Sequence, residues 1–117
     1  MTILRSELAI VQAAFAAAER GDVDTWLAHL APNVRIHTPR GVTSGPEAAL
    51  RFARRDPASE LALDIRLLDL TPVHEWIVAA TQLTHRWRES GELAEETPAL
   101  VVCRVRDGLI TSLHPIR

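Results

Sequence analysis

The chain has 117 residues, 47% of them hydrophobic, with 13 basic and 15 acidic side chains. That length accommodates one core and not two, so a single domain over residues 1–117 is expected, and the composition is too apolar for a disordered chain. A formal charge of −2 lacks the basic excess of a nucleic-acid binder. No apolar stretch approaches the roughly 20 residues of a membrane span, and the start MTILRSELAIVQ has no cleavage pattern, so neither membrane nor nucleic acid is an expected partner and the expected location is cytoplasmic.

From Ser6 the apolar residues Leu8, Val11, Phe15 and Ala18 recur at three- and four-residue steps, which predicts a helix with one buried stripe. Gly21 supplies its left-handed stop. Asp22 then caps a second helix with Val23, Trp26, Leu27 and Leu30 inward, ending at Pro32. From Asn33 to Thr38 the period changes to two, with Val34, Ile36 and Thr38 on one face and Arg35 and His37 on the other. The segment PRGVTSGP (39–46) reads as a loop. A third helix starts at Gly45-Pro46, buries Ala49, Leu50, Phe52 and Ala53, and closes at Asp56-Pro57.

The rest reads as strands. Leu61, Leu63, Ile65 and Leu67 alternate with polar or small residues until Thr71-Pro72 breaks the run. From Trp76 to Arg88, one face carries Ile77, Ala79, Thr81, Leu83, His85 and Trp87. After a turn at Glu89–Glu92, the run from Leu93 to Arg106 turns Ala99, Val101, Cys103 and Val105 to one face. Asp107-Gly108 is a tight turn into a last strand, Leu109 to Ile116. Helices first and long strands afterwards define an α+β domain, with helices on one face of a curved antiparallel sheet.

The side-chain inventory limits the chemistry. All 13 bases are arginine, which removes a lysine Schiff base and a Walker A loop. One cysteine and no tyrosine remove an internal disulfide, a cysteine-rich zinc site and a phenolic acid. The five histidines show no closely spaced pair of the kind that facial metal sites use, so no metal is expected.

The helix ending in AAAERGDVDTWLAHLAPNVRIHTPRG (16–41), then SGPEAALRFA (44–53) and VRDGLITSLHPI (105–116), resemble the nuclear transport factor 2-like superfamily, in its SnoaL-like and ketosteroid-isomerase-like bacterial branch. The resemblance spans essentially the whole chain. It implies a cone in which three N-terminal helices close the concave face of a bent sheet around a deep apolar pocket, and a homodimer that buries the convex face. Members include isomerases, polyketide cyclases, dehydratases (lyases) and epoxide hydrolases, alongside domains that only bind or assemble. The absence of lysine also hints at a GC-rich bacterial source.

The family's catalytic residues carry over poorly. The position of the ketosteroid isomerases' aspartate base is Thr38, which cannot act as a carboxylate. Their tyrosine falls near Ala14 and their protonated aspartate near Val102, and Asp64-Ile65-Arg66 does not reproduce the epoxide-hydrolase arrangement. The surviving match is to cyclases and dehydratases that place histidines on the long strands. His85 is then the expected acid/base, with His114 beside it if the last strand's phase turns it inward. The alternative for His85 is a structural histidine bonded across the sheet. Trp26, Thr38, Phe52, Leu83, Trp87 and Cys103 are expected at the pocket, Cys103 as a small buried hydrophobe rather than a nucleophile. His37 points away, and His29 and His74 are bland. The expectation is cofactor-free proton transfer (isomerisation, cyclisation or dehydration) on a small, mostly apolar molecule. The rival is a non-catalytic binding or dimerisation domain of the same fold.

Overall fold

The computed structural model describes residues 5–53 and 59–116. Their order is α1 (Arg5–Arg20), α2 (Val23–Ala28), β1 (Leu30–Thr38), β2 (Gly41–Ser44), α3 (Pro46–Ala53), β3 (Leu61–Val73), β4 (Trp76–Trp87), β5 (Leu93–Arg106) and β6 (Leu109–Ile116). The expected stop of the third helix at Asp56-Pro57 lies outside the described residues. The strands form one sheet in the order β2-β1-β6-β5-β4-β3, and the helices cover its concave face. This is the α+β cone that the resemblance implies. Neighbouring strands are antiparallel except β1 and β6, which run parallel.

The helical hairpin follows from local chemistry. α1 buries Val11, Ala14, Phe15 and Ala17, a stripe at the 3.6-residue period. It ends where Gly21 (φ 72°) takes the left-handed region. The Gly21 amide donates to the Ala18 carbonyl and the Asp22 amide to Ala17, at 3.1 and 2.9 Å, the paired bonds of a Schellman stop. The Asp22 carboxylate then accepts from the Thr25 amide and hydroxyl, at 3.2 and 2.7 Å. These bonds satisfy α2's first free donors and hold the Asp22 carboxyl below the usual carboxylate range. α2 ends at Ala28, earlier than Pro32 suggests, because β1 begins at Leu30 and runs through that proline.

The remaining differences have physical causes. The segment read as a loop contains β2, which pairs with β1 from Arg35↔Ser44 to Thr38↔Gly41. Pro39 and Arg40 form a two-residue connection, and the Thr38 hydroxyl, accepting from the Arg40 amide at 3.3 Å and donating to the Gly41 carbonyl at 3.0 Å, closes it. β3 continues past Thr71-Pro72 to Val73. Proline's missing donor is tolerated there because β3 is the sheet's edge.

Two irregularities decide where side chains point. Between β5 and β6 the register shifts from Arg104↔Ser112 to Val105↔Ile110, leaving Thr111 as an extra residue. Ile110 and Leu113 are therefore both fully buried, three positions apart rather than two or four. A bulge reverses the alternation beyond it. In addition, strands of 12–14 residues run about 40–46 Å at some 3.3 Å per residue, matching the molecule's 47 Å length. An α1 of 16 residues spans only about 24 Å. The far ends of β3, β4 and β5 thus overhang the helices. Among the described residues, no helix is long and apolar enough to cross a membrane.

Candidate functional site

The space between helices and sheet is a cavity of about 550 Å³. Its sheet wall comes from Leu63 and Ile65 on β3, Thr81, Leu83 and His85 on β4, and Ala99 and Val101 on β5. Its helical wall is Phe15, Ala48 and Phe52. The alternation along β4 turns residues 77, 79, 81, 83 and 85 inward, all buried, because only that face is covered. Thr81 is 1% exposed and donates its hydroxyl to the Ala99 carbonyl at 2.8 Å, so its polarity is satisfied inside the wall.

His85 is 4% exposed and presents the wall's one imidazole to the cavity. Its partners across the strands are Leu63 on β3 and Glu95 on β5. Phe52 is braced from behind. Trp26 stacks on it at 5.8 Å and 6°, Phe15 meets both rings edge-on, and the indole N–H of Trp26 donates to the Ala49 carbonyl at 3.0 Å. At the solvent side the lining residues are Thr38, Arg40, Thr43 and Arg51, all exposed. Exposed residues that line a cavity mark its mouth.

The cavity therefore brings together Thr38, Phe52, Leu83 and His85 from the residues that the sequence singles out. Four others stand elsewhere. Trp26 is the buried support behind Phe52 and Phe15, at 1% exposure, rather than a lining residue. Trp87 keeps the inward phase of His85 but sits on the overhang, 44% exposed, beside Glu60, Arg88, Glu89 and Ser90. Cys103 is fully buried beneath the cavity region, paired with Ile77 and Leu113. Burial pushes its thiol up to about 12, which leaves a neutral, unreactive group.

His114 is the fourth, and the Thr111 bulge is the reason. With unbroken alternation from buried Ile110, residue 114 would face inward. The extra residue instead turns Pro115 to the cavity and His114 to the outer face of the sheet. There it stacks on His37 at 3.8 Å and 14°, with Trp76 edge-on at 5.3 Å. These residues line a separate groove of about 350 Å³ with Arg35, Arg104 and Arg106, and the Arg104 guanidinium lies 5.4 Å over the Trp76 ring. Partial burial first, and the charge of His37 second, hold the His114 imidazole below its ordinary value.

Arg40 and Arg51 are cavity residues that the sequence reading passes over. Arg40 lies in the two-residue connection before β2, a strand that shows in its pairing with β1 rather than in a periodic pattern of its own. Arg51 follows Ala48 by three positions and so shares its helical face. Among the described residues, no three His, Cys, Asp or Glu side chains converge to hold a metal ion.

A curved sheet capped by three helices around a largely apolar cavity defines an α+β cone. The SnoaL-like domain model matches residues 11–113, and the chain belongs to that family. Among solved structures, it is similar to a proposed polyketide cyclase from Xanthomonas campestris pv. campestris, with 23% identity over 95% of this chain and 89% of that one and a TM-score of 0.78. A Mycobacterium tuberculosis protein solved with estradiol-17beta-hemisuccinate shares 20% identity over 96% and 93%, with a TM-score of 0.73. A proposed SnoaL-like polyketide cyclase from Jannaschia shares 19% over 99% and 88%, with a TM-score of 0.72. At these identities the likeness is one of fold. Among curated proteins, no sequence matches the chain.

Proposed function

We propose that the protein is a cofactor-independent enzyme of proton-transfer chemistry, acting by isomerisation, cyclisation or dehydration on a mostly apolar small molecule in this cavity. The observation that carries the reading is His85, an imidazole 4% exposed in a wall otherwise built from aliphatic and aromatic side chains and the hydroxyl of Thr81. Imidazole accepts and returns a proton near neutral pH, and a water-poor cavity strengthens its interaction with a polarised substrate atom. Phe52, Phe15 and Leu83 shape the apolar body of the site. We extend the proposal to a single cytoplasmic domain that dimerises through the outer sheet face, where Leu100 is 44% exposed and Trp76 is half-buried.

A second reading is a binding domain without catalysis. It is favoured by the absence of any Asp or Glu among the described cavity-lining residues. Histidine NMR titration with and without apolar ligands separates the two. Mass spectrometry of any molecule that co-purifies supplies the substrate class. The enzyme reading expects His85→Gln to lower turnover of that molecule or its precursor by about 10²–10⁴ while its binding stays within a few-fold. If the variant turns over at the wild-type rate, His85 is not the acid/base, and if the wild-type protein turns over neither molecule, the binding-domain reading replaces the enzyme reading.

A further inference from the structure

We infer that the cavity selects molecules combining an apolar body with a carboxylate, the anion being held at the mouth by Arg40 and Arg51. The inference rests on the reading that the cavity binds small molecules, and it names their class.

The two arginines reach the mouth from independent elements. Arg40 sits in the two-residue β1–β2 connection, whose shape is set by Pro39 and by the bonds of the Thr38 hydroxyl to the Arg40 amide and the Gly41 carbonyl, at 3.3 and 3.0 Å. Thr38 is thus a positioning residue for Arg40, its hydroxyl already engaged in the turn. Arg51 projects from α3, flanked in sequence by cavity residues Ala48 and Phe52. Among the described residues, neither arginine has a carboxylate within ion-pair distance, the ion pair there being Arg20–Asp22.

A chain of net charge −2 thereby presents two positive charges, unpaired among the described residues, at the exposed edge of a largely apolar cavity. Guanidinium groups are the side chains best matched to a planar carboxylate, through forked N–H donors. A ligand whose hydrocarbon part fills the space beside Phe52, Leu83 and Ile65 leaves its remaining end at the arginines. A neutral ligand of the same body gains the burial but not the charge-assisted bonds. A cationic one meets repulsion.

The test uses 1-naphthaleneacetic acid and its primary amide, which share a body and differ in charge. Isothermal titration at low salt is expected to show the acid binding at least about tenfold more tightly than the amide. Raising the salt to about 0.5 M should erase most of that preference without moving the amide, because the Debye length shrinks from about 10 Å at 0.1 M to about 3 Å at 1 M. In R40Q/R51Q the preference disappears while amide affinity stays within twofold. Equal binding of acid and amide to the wild type overturns the inference and leaves the cavity reading intact. A preference that survives in R40Q/R51Q also overturns it, and points to the groove of Arg35, Arg104 and Arg106. If neither compound binds and neither perturbs the Leu83 or His85 NMR signals at millimolar concentration, the cavity reading falls as well. The salt series uses the wild-type protein, so the result does not depend on the variant folding.

Discussion

Replacing Trp26 with phenylalanine tests whether the cavity's helical wall is held from behind. Two losses follow from the structure. The indole N–H bond to the Ala49 carbonyl, 3.0 Å long and buried, disappears, at a net cost of about 1 kcal/mol. The smaller ring also leaves roughly 40 Å³ unfilled beside the fully buried Phe15 and Ala49, which costs about another 1 kcal/mol at some 24 cal/mol per Å³. The ring stack on Phe52 at 5.8 Å is weakened but kept in kind. The expected total is about 2 kcal/mol, or a fall in melting temperature of about 8 °C at some 4 °C per kcal/mol for a domain of this size. Urea unfolding followed by circular dichroism measures it, with the slope checked for two-state behaviour. A variant within about 0.5 kcal/mol of wild type would refute the bracing argument, since neither the bond nor the volume would then matter.

Other outcomes are equally specific. Ala99→Phe places a ring in the cavity from the 6%-exposed Ala99 position and should weaken apolar-ligand binding at least about tenfold, while Trp87→Ala on the overhang leaves it within twofold in the same titration. Cys103, with its thiol pushed up to about 12, should resist iodoacetamide at pH 8 in the native protein and react promptly in urea, as mass spectrometry would show. The lowered His114 value means that, between the folded value and the unfolded value near 6.5, the unfolded chain binds more protons than the folded one. Stability from this group therefore rises with pH across that window, is fully present above it and is lost below it. His114→Gln should flatten that part of a urea-midpoint profile. His37→Gln should move the His114 NMR titration upward, because the neighbouring charge is one cause of the depression.

Much of the site follows from periodicity alone. The alternation through β4 places Leu83 and His85 on one face with Ile77 and Thr81, and the helical repeat places Phe15 inward. The Gly21-Asp22 pair marks the hairpin because a left-handed stop and a carboxylate cap are local requirements. Trp87 obeys the same alternation yet misses the cavity. Phase is a property of the strand, whereas coverage depends on how far α1 reaches along it. His114 fails for a different reason. A single unpaired residue at Thr111 reverses every later side chain, and a bulge is specified by pairing with β5, not by the residues of β6.

The amino-acid order by itself determined the α+β succession, the helical hairpin, the burial stripe of α1 and the inward set on β4, since each depends on contacts within a few residues or on a fixed backbone period. Tertiary structure alone decided the parallel β1–β6 pairing, the strand hidden in residues 41–44, the outward turn of His114 and the placing of Arg40 and Arg51 on one cavity. Those features are set by which strands lie side by side and where they slip, and such long-range register has no signature in any one segment.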